Sequence, residues 1–382
     1  MDLQPAPFRS PLSTYEGQAE SLLAAHRAAD PAAIELFHRK HPDFLDEEIK
    51  WRPKFIPDSE IRDAALSLDD ARLTIARYYD FLDWPSLEAH VEAIRQEGPV
   101  FEFESAVEAV VNGDLLTLHG SLRRNPDLAR ARSTRVCCFD PPRHHATLLH
   151  YVAANGVEGY RQKTPPNAVE IARALLEAGA EPDAFADMYG GRCTTLGMLV
   201  SSSHPAAAGL QVPLTELLLD FGAAVDGAAP QETWGSPIHT ALAFGMTDAA
   251  AALAKRGARI DLPAAAGLGR FEDAARLLPA ATPAERHRAL VLAAQLGHPE
   301  VVRLLLDAGE DPNRFNPPGN HAHCTPLHQA AVSGHDAVVR LLVEHGAHLD
   351  IRDTIWHSTP LGWAEHGGKT EVAAYLRARC MA

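Results

Sequence analysis

Imidazole and thiol groups crowd one short stretch, His321-Ala322-His323-Cys324, with His328 close by. Imidazole nitrogen and thiolate sulfur together are a donor set that zinc takes. The spacing matches no standard zinc pattern, so a structural or partner-contact role is the stronger reading and no metal is expected. Cys137-Cys138 with His144-His145 repeats the composition and is read the same way. Adjacent cysteines do not readily reach the Cα separation a disulfide prefers. Ser201-Ser202-Ser203-His204 sets hydroxyls beside an imidazole. A Ser–His dyad, however, is a spatial geometry that sequence neighbours rarely achieve. The chain has no Gly-rich phosphate loop, no H-E-x-x-H and no G-x-S-x-G. Tyr189-Gly190-Gly191 reads as a turn, because no strand is expected before it. No catalytic residue and no cofactor is expected, and the chain is read as a non-enzyme.

Charge narrows the partners. The net charge is −15 over 382 residues, which disfavours general nucleic-acid or acidic-membrane binding. Arg123, Arg124, Arg130, Arg132, Arg135 and Arg143 form a local basic run. Nucleic-acid binding would want aromatic platforms among them, and Phe139 alone is too few. A solvated loop whose arginines pair with acidic neighbours is the stronger reading. No apolar run is long enough to span a membrane. Met1-Asp2-Leu3-Gln4-Pro5 lacks the basic-then-apolar pattern of a secretory signal. Five scattered cysteines fit a reducing compartment, and the expected location is cytoplasmic.

These residues need elements to hold them. Residues 1–98 read as helical. Glu20 to Ala29 carries a helical apolar pattern; Asp30 caps a new helix with Pro31 as its first residue. His41 to Asp58, broken by three prolines, is an irregular connection whose Trp51 and Phe55 are expected to pin it to a core. Asp69-Asp70 is expected to cap Ala71–Tyr79, Asp83-Trp84-Pro85-Ser86 to turn, and Leu87–Ile94 to form a helix.

Beyond residue 98 a pattern recurs. Its clearest copy is Thr325-Pro326-Leu327-His328-Gln329-Ala330, followed by Gly334, a helix Ala337–Glu344, and Gly346. Thr325 is a good N-cap. Pro326 sits where its missing N–H costs nothing. Gly346 falls where a left-handed residue ends a helix. Related openings stand at Thr147-Leu148-Leu149-His150, Thr194-Thr195-Leu196-Gly197, Ser236-Pro237-Ile238-His239 and Thr359-Pro360-Leu361-Gly362. Between Gly257 and Leu262 there is no room for a finger, and Leu278–His287 is a longer connection.

The T-P-L-H-x-A stretch matches the ankyrin-repeat signature residue for residue, and the chain resembles ankyrin-repeat proteins. The helical run ahead of the repeats, with Tyr189-Gly190-Gly191 and Ser203-His204-Pro205, is similar to a bacterial subgroup of that family. The resemblance implies an all-α solenoid of helix pairs with short β-hairpin fingers. Residues 1–98 would be a helical capping domain. Residues 99–382 would hold about eight units, with insertions near 157–167 and 204–213. His328 would hydrogen-bond within its own turn and to its neighbour.

The family docks protein partners on its fingers and first helices. The positions before each opening offer Tyr189, Arg192, Trp234, His321, His323, Trp356 and His357. That row is read as a binding edge for an unidentified protein partner. The alternative is a ligand- or metal-binding protein, possibly an enzyme. Its pocket would lie under the inserted loops, which hold Tyr160, Arg161, Lys163, His204 and Gln211.

Overall fold

Asp30 accepts from the amides of Ala32 and Ala33, at 2.9 and 3.4 Å, and so opens the helix Pro31–Lys40. The first four amide positions of a helix have no carbonyl partner within it, so a carboxylate there is stabilising. The computed structural model describes residues 3–228 and 235–380. The chain falls into two units, Met1–Met198 and Leu199–Ala382.

In the first unit, helices Leu12–Arg27, Pro31–Lys40, Leu68–Tyr78 and Trp84–Arg95 close over Leu22, Phe37, Ile61, Ile75 and Leu87, all without solvent exposure. Each such side chain contributes about 1.5–3 kcal/mol of transfer free energy. Three details depart from the sequence reading. Ser67, paired with Asp70 in a capping box, starts the third of these helices, in place of Asp69-Asp70. Asp83 accepts from the Ser86 amide at 2.9 Å, so Trp84-Pro85-Ser86 is a first helical turn. Trp51 and Phe55 do not pin the connection to the core; they are 65% and 69% exposed, and Ile61 fills the core instead.

Helices Pro99–Asn112 and Leu115–Arg124 pair next, then Leu148–Val152 and Ala168–Glu177. The strands β1 (Phe185–Met188) and β2 (Gly191–Thr194) form a hairpin with Met188 opposite Gly191. A strand therefore does precede Tyr189-Gly190. Both turn residues have positive φ, 52° and 76°, as a two-residue hairpin of native twist requires. The strand runs into a hairpin, not a helix, so no dinucleotide loop results.

The second unit repeats one device. First helices Leu262–Gly267, Pro283–Leu296, Pro326–Ser333 and Pro360–His366 pack in succession, and second helices Phe271–Leu277, Pro299–Asp307, Asp336–Glu344 and Thr370–Cys380 do the same behind them. Alanines 265, 266, 293, 294, 330 and 331, all fully buried, let the first helices approach closely. Leu290, Leu305, Val339 and Leu342 fill the space behind. The connection after Leu278 is shorter than expected. Thr282 and Glu285 form a capping box, and the helix begins at Pro283.

Glycine is required where neighbouring pairs touch. Gly297 has φ +80°, and a Cβ there would lie 2.6 Å from the His335 ring. His335 uses that space to place Nε2 3.0 Å from the Gln295 carbonyl. His298 reaches the Gly267 carbonyl at 2.9 Å in the same way. The fold is thus a helix-pair solenoid after a helical N-terminal region. Among the described residues only one finger carries a strand ladder.

Candidate functional site

The fingers are set by the turns that precede the first helices. The Thr325 amide donates to His328 Nδ1 at 3.3 Å, and the Thr325 hydroxyl lies 2.8 Å from the same nitrogen. Nδ1 is then the acceptor, and Nε2–H is free to donate to the Ser358 carbonyl at 3.2 Å. One imidazole thereby ties its own turn to the base of the next finger. Thr147 and His150 repeat the device toward the Cys193 carbonyl, and His239 extends it from Ser236 to Asp261.

Burial pushes the His150 pKa down to about 4, so the folded chain keeps it neutral while an unfolded chain protonates near 6.5. Stability from this group is complete above pH 6.5 and is lost as pH falls through 4. The expected loss is about 3 kcal/mol across that window. Thermal melts between pH 7 and 4 check it: the fall should be shallower in His150→Gln than in the parent.

The finger after His348 is organised by Asp353, which is 1% exposed. Its carboxylate accepts from the amides of Ile355, Trp356 and Ser358, at 2.9, 2.6 and 2.9 Å, and from the Trp363 indole at 3.0 Å. Burial pushes this carboxyl up; the donated hydrogen bonds outweigh it and leave the pKa below the usual aspartate value. Trp363 is anchored, and Trp356 stands beside it with 45% of its surface exposed. His323 packs edge-on to Trp356, centroids 5.2 Å apart, and tilts against Trp363 at 5.8 Å. His321 meets His323 at 6.0 Å and donates from Nε2 to the Ala243 carbonyl, 2.9 Å away. Burial, then the neighbouring His321, lowers the His323 pKa. The edge is therefore an aromatic platform, uncharged at His323 at neutral pH.

The second unit thus brings His321, His323 and Trp356 together. His357 follows at φ +53°, exposed, its carbonyl accepting from Arg352 at 2.7 Å. Tyr189 and Arg192 stand on the hairpin of the first unit. The Tyr189 hydroxyl donates to Asn155 at 2.8 Å, and the Arg192 guanidinium lies 3.8 Å from the Phe185 ring centre. Trp234 lies outside the described residues. Sequence reasoning passed over Asp353 and Trp363. An aspartate three residues before Trp356 and five before Ser358 is the turn spacing that could have flagged them.

A family model described as "Ankyrin repeats (3 copies)" matches residues 262–353 and 290–381. The cyclin-dependent kinase 4 inhibitor B of Bos taurus is 36% identical over 127 residues, 32% of this chain and 93% of that protein. The chain belongs to the ankyrin-repeat proteins. The cyclin-dependent kinase inhibitor 2A of Homo sapiens is 37% identical over 122 residues, 31% of this chain and 75% of that protein. The human ankyrin repeat and SOCS box protein 16 is 27% identical over 308 residues, 63% of each chain. The ankyrin array is a protein–protein interaction scaffold.

The groups that looked chemical have other work in this ankyrin chain. Cys137 Sγ faces His144 Nε2 at 3.3 Å, and burial raises the thiol to about 11, too high for a thiolate at neutral pH. His145 pairs with Asp187 at 2.9 Å. Among the described residues no three His, Cys, Asp or Glu are grouped to hold a metal. Of the arginine run, Arg130 donates to the Gly179 carbonyl, Arg132 to that of His145 and Arg124 to Ser121. Arg135 is buried.

The inserted loops turn inward, against the pocket reading. Arg161, its side chain 2% exposed, pairs with Glu104 at 2.6 Å, Glu108 at 3.0 Å and Glu158 at 3.6 Å. Arg135 lies 3.4 Å from Glu158, packs 3.7 Å from the Phe81 ring centre and donates to the Tyr79 carbonyl. The space beside this pair, lined in part by Tyr151 and His144, is no larger than a water molecule needs. Tyr160 supplies its hydroxyl to Arg135, at 3.2 Å, while Lys163 is exposed. In the other loop His204 rides on the helix Ser203–Ala207, and Gln211 donates to the carbonyls of Leu199 and Ser202. Tyr160, Arg161 and Gln211 are thus engaged by groups of their own units.

Proposed function

We propose that the scaffold engages its protein partner through the finger edge, with Trp356 as the central anchor of the second unit. The observation that carries this reading is an exposed indole held against a part-buried one that is itself anchored. Trp363 and Asp353 fix the finger, and Trp356 is left with 45% of its surface in water. A large ring presented without conformational freedom is the kind of residue on which binding free energy concentrates. His321, His323 and His357 form the polar flank, and Tyr189 and Arg192 serve the same role on the first unit's hairpin. Trp234 belongs to the same proposed row.

In this reading residues 1–98 are a helical capping domain and residues 99–382 an array of about eight units. Thr325, Pro326, Leu327, His328, Gly334 and Gly346 are scaffold in it. The chain is non-catalytic, cytoplasmic and of the bacterial type its sequence resembles. Among the described residues no helix is long and apolar enough to cross a membrane. The names of two matched relatives, inhibitors of cyclin-dependent kinases, make a protein kinase a reasonable first class of partner to test.

The test is a pull-down of the partner followed by titration with the purified pair. Trp356→Ala is expected to raise Kd about tenfold or more while Tm moves by about 1–2 °C, the effect of a surface change. A large drop in Tm with unchanged Kd would make Trp356 scaffold.

A further inference from the structure

Two of the largest apolar side chains in the molecule face water on one short loop, remote in sequence from every finger. Trp51 is 65% exposed and Phe55 69%. The loop holding them is built, not slack. Asp46 accepts from the amides of Glu48 and Ile49, at 3.0 and 2.8 Å, and from the Arg52 guanidinium. The Asp46 amide donates to the Arg52 carbonyl and the Arg52 amide to that of Ile49, both at 2.8 Å. A bridge joins Leu45 to Pro53, and His38 holds the Lys54 carbonyl at 2.9 Å. Arg52 lies 5.0 Å from the Phe55 ring centre, which fixes that ring's orientation. Exposing two aromatics from a rigid turn costs solvation free energy that burial against a partner would recover.

Charge selects the occupant. Glu47, Glu48, Asp58 and Glu60, all exposed, flank the pair in sequence, against an exposed Lys50. Arg52 is held by Asp46, Lys54 donates to the Asp43 carbonyl, and Arg62 pairs with Asp63. The rim is acidic on a chain of net charge −15. A phosphate backbone or an anionic bilayer would meet like charge. A second copy would set the same acidic rim against itself.

We propose that Trp51 and Phe55 form a second docking site, separate from the finger edge, for a protein segment with an apolar cleft or stripe bordered by lysine and arginine. The rim steers the approach and the two rings supply the anchor.

The probe is a displayed random-peptide library panned on the full-length chain and, in parallel, on Trp51→Ala/Phe55→Ala. Peptides enriched on the parent alone should combine large apolar residues with Lys and Arg. A fluorescent synthetic consensus peptide should bind the double variant about tenfold more weakly or worse. It should bind Glu47→Lys/Glu48→Lys about threefold more weakly, with the gap closing in high salt. Thermal melts confirm that both variants are folded. Equal enrichment on parent and double variant, or an acidic consensus, overturns the proposal. So does parent binding to phosphatidylserine vesicles, or self-association in sedimentation, that the double variant loses.

Discussion

Arg161→Ala is expected to lower the unfolding free energy of the full chain by roughly 3–5 kcal/mol, the range for breaking a buried ion pair from one side. Arg161 and Glu104 are each 2% exposed at the side chain and 2.6 Å apart. Without the guanidinium, Glu104 and Glu158 face each other's charge with water excluded. Burial pushes the Glu104 carboxyl up; Arg161, then His90 and Arg135, pull it below its ordinary value. In the parent, stability from Glu104 is therefore present above pH 4.5 and is lost as pH falls through the depressed pKa. In the variant burial acts with less opposition and the folded pKa rises. The histidine-linked fall in stability is common to both chains, so the variant's deficit relative to the parent should shrink as pH falls from 7 toward 5. Urea titrations at both pH values check the sign. Arg161→Ala/Glu104→Gln should recover about 1–2 kcal/mol by removing the stranded charge. A pH trend matching the parent would mean that water already reaches the cluster.

Asp353→Ala is expected to cost about 3 kcal/mol and to release the finger that carries Trp356. The substitution strands the amides of Ile355, Trp356 and Ser358 and the indole N–H of Trp363. A buried donor left unpaired costs about 1–3 kcal/mol. Part of that is recovered when the finger opens to water. Indole fluorescence should shift to longer wavelength, and partner affinity should fall with stability. Trp356→Ala should lower affinity alone. The contrast separates the residue that holds the edge from the residue that touches the partner. Asp353→Asn keeps one acceptor oxygen and should fall between the two.

Local chemistry was legible wherever the partners are near in sequence. Thr325, Pro326 and His328 lie within one turn, so their roles follow from a four-residue pattern. Asp30-Pro31 marks a helix start for the same reason. The row His321, His323, Trp356 could be suspected from position, because each residue precedes a helix opening.

Other features needed the folded chain. Arg135 read as a solvated cation and Arg161 as a residue of a loop over a pocket, since only Glu158, three residues before Arg161, stands near in sequence to compensate a buried charge. Their other partners arrive from elsewhere: Glu104 is 57 residues before Arg161, and the Tyr79 carbonyl is 56 before Arg135. The inserted loop looked like the roof of a pocket and proved to be an ionic plug. Trp51 and Phe55 invert the case. Their composition called for burial, and the hydrogen bonds of Asp46 turned the loop so that Ile61 took the core position.

The sequence by itself determined the repeat, its caps and its glycines, because those depend on backbone geometry over a few residues. The tertiary structure alone decided which charges are buried and which aromatics face water. Burial is a property of what several distant segments bring to one place, and no local spacing encodes it.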